Sequence, residues 1–180
     1  MSIPAQDFSP FAARRARVLD TLRSQGGGIA ILATSPEVVR NRDAEYDYRH
    51  DSHFYYLTGF HEPQAWLVLI AGDTDRSILF CRSKNLEREI WDGYRVGPDA
   101  AKEVYGFDAA YPVDQLDAEL PKLIANQPLL CTPLASDAAF DRRLRTWLDA
   151  VRGLGRSGTL IPLRTLDLRS LLAEMRLFKD

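Results

Sequence analysis

Four short apolar runs, at residues 29–33, 65–71, 77–81 and 129–131, carry no charged residue and are bounded by turn-forming residues. Runs of this length read as strands covered on both faces, because a strand with one wet face would alternate apolar and polar residues. A sheet buried on both sides needs helices above and below it, and helical patterns do lie between the runs. Gly72, Asp73, Thr74 and Asp75 separate the second run from the third, which predicts a hairpin and therefore a mixed sheet. The expected fold is α/β: a three-layer α/β/α arrangement around a mixed, largely buried central sheet.

The helices announce themselves by their ends. Ser9 and Pro10 read as an N-cap and first helical residue, with Phe11, Val18, Leu19 and Leu22 at helical spacing until Gly26, Gly27 and Gly28 form a flexible stop. A short helix over 98–105 opens on Pro98 and closes at Gly106. Another over 114–126 lines up Leu116, Leu120, Leu123 and Ile124, kinked or shortened by Pro121. Asp137 caps a helix carrying Phe140, Leu144, Trp147, Leu148 and Val151 that ends near Gly153 and Gly155. A last strand is expected over 159–163, followed by Asp167 as cap and a stripe of Leu168, Leu171, Leu172 and Met175.

At 180 residues the chain suits one domain over 1–180, with a formal net charge of -2. That charge argues against nucleic acid and anionic membrane as partners, which select concentrated basic surfaces. Arg14, Arg15 and Arg17 are the densest basic cluster and read as a solvated helix face. Cys81 and Cys131 lie in apolar runs, so buried free thiols in a reducing compartment are expected ahead of a disulfide. The N-terminus lacks a basic region followed by an apolar stretch, and no apolar run approaches the ~20 residues of a membrane span. A cytoplasmic protein is the expectation.

Residues 45–63 join charges, aromatics and a glycine turn just ahead of the second run. Arg49 and Asp51 suit charge-assisted hydrogen bonds that fix a loop. Phe54, Tyr55, Tyr56 and Phe60 supply rigid bulk, and Gly59 permits a turn that a Cβ opposes. An ordered loop and short helix, capped by Asp51, should lead into the strand. His50 and His53, with Asp51 between them and His61 beyond, are the pattern most like a metal site; the competing reading is two satisfied loop histidines, since a hydrolytic centre needs three or more convergent ligands. No Gly-x-Ser-x-Gly elbow, phosphate loop or acid-base carboxylate pair is present, and neither cysteine has a charged neighbourhood that would favour thiolate. Trp91 lies in a charged segment with Glu89, Asp92, Gly93, Tyr94 and Arg95; it either packs on the domain's own core or stands on a loop tip facing a partner.

Tyr46, Tyr48, Arg49, Ser52, Phe54, Tyr56, Leu57, Thr58, Gly59, Phe60, Glu62 and Pro63 follow a pattern that resembles the N-terminal domain of Xaa-Pro aminopeptidases, of the creatinase/prolidase type. Residues 89–98 and 174–179 resemble the same family. The resemblance implies a fragment whose C-terminal partner, a pita-bread catalytic metallopeptidase domain, holds two divalent metals, usually manganese. It implies no catalytic or metal-binding residue in this chain, a homo-oligomer assembled through this domain, and proline-containing peptides as substrates of the parent. It further implies that Trp91 reaches towards a neighbouring subunit's active site, and that Asp43 and Arg156 line the rim of the substrate cleft. A prolidase N-terminal domain, a stand-alone binding or assembly module and a small zinc hydrolase are the alternatives.

Overall fold

The computed structural model describes residues 6–42, 44–155 and 158–178. In chain order the elements are α1 (Ser9–Ser24), β1 (Gly28–Ala33), β2 (Val39–Asn41), β3 (Ala44–Glu45), α2 (Ser52–Thr58), β4 (Trp66–Ala71), β5 (Arg76–Cys81), α3 (Leu86–Asp92), α4 (Pro98–Tyr105), β6 (Ala109–Pro112), α5 (Leu116–Ile124), β7 (Leu129–Thr132), α6 (Ala138–Gly153), β8 (Arg164–Asp167) and α7 (Leu168–Leu177). Six strands form one sheet in the order β6-β5-β4-β1-β7-β8, and β2 pairs with β3 in a separate hairpin. Strand β4 runs antiparallel to both neighbours, while β5–β6, β1–β7 and β7–β8 are parallel. The mixed sheet is thus as expected, with the β4–β5 hairpin turning at residues 72–75.

The strict two-residue alternation of a strand sorts each apolar run between two cores. Ala30 and Leu32 of β1, Leu67 and Leu69 of β4, Leu79 and Cys81 of β5 meet α1, α2, α4 and α7. Their sequence neighbours Ile29, Ile31, Trp66, Val68, Ile70, Ile78 and Phe80 meet α5 and α6. Each buried Leu, Ile or Phe contributes roughly 1.5–3 kcal/mol relative to exposure. On the second face Asp117 of α5 accepts from Trp147 Nε1 at 2.8 Å and from Arg143 Nε and Nη2 at 3.0 and 3.1 Å, which binds α5 to α6.

Several expectations need correction. Ser9 is the first residue of α1 rather than its cap, and its N–H and hydroxyl both bond the Asp7 carboxylate at 2.9 Å. The final strand lies at 164–167 instead of 159–163: Pro162 has no N–H for a ladder, and Leu160 instead exchanges bonds with Asn126. The glycine stop is also a point of close approach. A Cβ on Gly28, at φ +147°, would stand 2.5 Å from the Leu129 carbonyl oxygen, so β1 meets β7 there only because the residue is glycine.

The basic cluster is only in part a solvated face: Arg17 is exposed and Arg14 half-buried, but Arg15 lies in the core. Arg15 is 2% exposed and donates to Leu57 O at 3.1 Å, Tyr105 O at 3.3 Å and Gly106 O at 2.7 Å. Those carbonyls close the C-terminal ends of α2 and α4, where the last turn leaves acceptors unpaired and the helix dipole is negative. One guanidinium therefore caps two helices. Burial lowers its pKa to about 10, leaving it protonated at neutral pH.

Candidate functional site

The segment with the family signature is built inward. Asp51 caps α2, its carboxylate accepting from His53 N and Phe54 N at 2.8 Å each. Gly59 ends the helix at φ 64°, and a Cβ there would meet the Phe11 ring at 2.9 Å. Phe54, Leu57 and Phe60 are fully buried, and Tyr56 donates its hydroxyl to Met175 O at 3.0 Å. Tyr48 Oη lies 2.7 Å from Thr34 Oγ1 and donates to Ser35 O. Arg49, in contrast, is exposed.

The second signature segment is built outward. After β5 the chain leaves the core at Arg82, forms α3, and returns at Val96 to start α4. Helix α3 went unforeseen, although Asn85, which accepts from Arg88 N, and the acidic Glu87 and Glu89 in its first turn mark a helix start. On it Leu86, Ile90 and Trp91 are 74%, 78% and 86% exposed. The Trp91 indole therefore does not pack on the domain's own core.

The base of this arm is tied down by Glu62, a residue of the signature to which sequence reasoning gave no role. Buried at 4% exposure, Glu62 accepts from Val96 N at 2.6 Å through Oε1 and faces Arg82 Nη2 at 3.5 Å through Oε2. Lys84 adds a bond to Arg95 O at 2.8 Å, and its ammonium sits 3.8 Å above the Tyr94 ring. A buried carboxylate requires a specific partner, and a glutamate three residues before an apolar run was the available signal.

The three histidines do not converge. His50 stacks on Tyr55 at 4.2 Å, His53 turns Nδ1 to Arg176 Nη1 at 3.2 Å, and His61 is exposed. Burial pushes the pKa of His50 and of His53 down, helped at His50 by His61 and at His53 by Arg176. Among the described residues no three His, Cys, Asp or Glu side chains are grouped to hold a metal. Cys81 and Cys131 are buried free thiols, pushed up to about 12 by burial, which keeps them from acting as thiolates.

Two clefts open at the carboxyl ends of β1 and β7, where α/β sheets commonly bind ligands. One, of about 610 Å³, is lined by Trp66, Phe140 and Arg143 among others. The other, of about 230 Å³, includes Asp51, His53, Asp137 and Arg169. The helix N-termini there are occupied from within: Asp51, Asp137 and Asp167 each accept from backbone N–H groups of the helix they precede. Of the three residues expected around a substrate cleft, Trp91 is an exposed arm residue; Asp43 and Arg156 lie outside the described residues.

Comparison with known proteins agrees with this geometry. The family model for the aminopeptidase P N-terminal domain matches residues 11–131. The chain is 37% identical to the Xaa-Pro aminopeptidase of Escherichia coli K12 over 94% of its own length and 38% of that protein's. Against the Xaa-Pro aminopeptidase of Haemophilus influenzae it is 33% identical over 99% of the chain and 38% of the relative. The structure of Pseudomonas aeruginosa aminopeptidase PepP superposes with a TM-score of 0.90 at 40% identity, covering 97% of this chain and 39% of that one. For Escherichia coli aminopeptidase P in its low-pH form the TM-score is 0.92 at 35% identity, covering 98% and 40%. Signature, sheet topology and these likenesses coincide along nearly the whole chain, which belongs to the aminopeptidase P N-terminal domain family.

Proposed function

We propose that this chain serves as the N-terminal, non-catalytic domain of an Xaa-Pro aminopeptidase, which removes the first residue of a peptide whose second residue is proline. The domain shapes the substrate cleft and mediates homo-oligomer assembly, while hydrolysis belongs to a C-terminal pita-bread domain. There two divalent metals, usually manganese, supply Lewis acidity for the hydrolysis. None of that chemistry is assigned to the residues of this chain, whose described His, Cys, Asp and Glu side chains form no three-ligand group. A cytoplasmic location suits two buried free thiols.

The observation that carries the reading is the arm: Leu86, Ile90 and Trp91 are turned to the outside on a segment whose base is buried. Exposed aromatic and aliphatic side chains on a fixed support match what a partner surface uses as anchors. In this reading Trp91 meets peptide in a neighbouring subunit's cleft, with Arg156 holding a peptide carbonyl or carboxylate and Asp43 orienting that arginine or a substrate amine. The test is a manganese-supplemented assay on an Xaa-Pro peptide, run on the complete gene product and on residues 1–180. Turnover is expected only from the complete product, and hydrolysis by residues 1–180 would refute the assignment. Replacing Trp91 with Ala in the complete product should raise KM roughly tenfold or more, the size of effect that buried aromatic anchors show.

A further inference from the structure

We infer that Glu62 is the positioning residue of the Trp91 arm: its single carboxylate pins both ends of residues 82–96, so that the indole is presented in a fixed place. The geometry is that of a clamp. Oε1 holds Val96 N at 2.6 Å, where the chain returns to the core, and Oε2 faces Arg82 where it leaves. Both ends are buried, at 4% exposure for Val96 and 8% for Arg82, while the helix between them turns its apolar residues outward. With so little of α3 packed on the body, the direction of Trp91 depends on how the base is held. Closing a loop of about fifteen residues costs entropy that grows with loop length, and a strong bond at the base offsets it.

The two halves of the clamp differ in strength. The 2.6 Å bond from a main-chain N–H to a carboxylate is short and charge-assisted, whereas the 3.5 Å approach of Arg82 is at the limit of a hydrogen bond. Arg82 Nε is itself buried with no hydrogen-bond partner among the described residues, so Glu62 is the neighbour that compensates this guanidinium. Removing the carboxylate therefore orphans a main-chain donor and weakens the compensation of a buried charge together. Glu62 is in turn held by rigid structure, since Gly59 ends α2, Phe60 is fully buried and Trp66 begins β4.

The inference deepens the reading above, because a positioned arm matters for catalysis only if Trp91 meets substrate or partner. Two measurements separate them. In residues 1–180, the variants Glu62→Gln and Glu62→Ala are compared by hydrogen exchange and by fluorescence anisotropy decay, in which Trp91 is the only exposed indole beside buried Trp66 and Trp147. Glu62→Ala should speed exchange at Val96 roughly tenfold or more relative to the core amides of Ile31 and Val68, and enlarge the fast component of the decay. Glu62→Gln should fall between, because its amide oxygen still accepts from Val96. Unchanged arm dynamics in Glu62→Gln and Glu62→Ala, or loss of protection in step with the core, overturns the inference; if Glu62→Ala does not fold, Glu62→Gln decides alone. In the complete gene product, Glu62→Gln should raise KM for an Xaa-Pro peptide several-fold with kcat within about twofold. A KM unmoved by Trp91→Ala overturns the function of the arm, while the exchange data still judge Glu62.

Discussion

Residues 51–63 and residues 82–96 each hold part of the family pattern, yet their aromatic and apolar side chains are placed in opposite ways. In the first, Phe54, Leu57 and Phe60 are fully buried and the polar groups cap helices or bond main chain. In the second, Leu86, Ile90 and Trp91 face outward, and burial is confined to the base. A family signature thus mixes two kinds of residue: those that hold a scaffold together and those that the scaffold displays. Glu62 belongs to both, being placed by the first stretch and spanning the ends of the second.

The sharpest way to break this contrast is to find that both stretches matter equally for stability. Phe54→Ala empties a fully buried site and should cost about 3–5 kcal/mol in chemical denaturation. Arg15→Met should come next, at roughly 2–3 kcal/mol, because it strands carbonyls at the ends of α2 and α4 in the core; a loss within 0.5 kcal/mol would contradict the two-helix cap.

A smaller effect is expected from His53. Its folded pKa lies below the ordinary value of 6.5, so it is neutral in both states above that pH, and the unfolded chain takes up the proton first as pH falls. Stability should therefore drop below about pH 6.5, ahead of the carboxylates, and His53→Asn should flatten that part of a thermal-melting profile. No such flattening would mean that the partial burial of His53, the main cause of its lowered pKa, is not maintained in solution. Trp91→Ala should be the mildest, within about 0.5 kcal/mol, and a large loss would show that the indole packs on the body after all.

Much of the scaffold was legible because it rests on local, repeated signals. The four apolar runs became β1, β4, β5 and β7, and Asp51, Asp137 and Asp167 cap the helices expected of them. What escaped lacks such a signal. Strand β6 consists of half-buried Ala109, Ala110, Tyr111 and Pro112 at the sheet edge, with no apolar run to mark it. Strand β8 reads Arg164, Thr165, Leu166 and Asp167, with three of its four residues polar because it forms the other edge. Arg15 looked like a surface charge since its acceptors lie 42 and 91 positions away. The outward stance of Trp91 was equally hidden, because an apolar residue in a charged segment is compatible with either direction until the packing of α3 is known.

The isolated antiparallel strand β4 has a bearing on how the polypeptide matures. It joins β5 across a four-residue turn and reaches β1 over a modest separation, so these three strands can associate as soon as they are synthesised. On its other side β1 must wait for β7, and the Thr132 hydroxyl that donates to Ile31 O arrives 101 positions later. During that interval the middle strand of the finished sheet is an open edge, lined by Ile29, Ile31 and Leu32, able to pair with another nascent copy. Growth of the chain through residue 132 is therefore the step that covers this edge of β1, and β8 then takes over as the outer strand on that side.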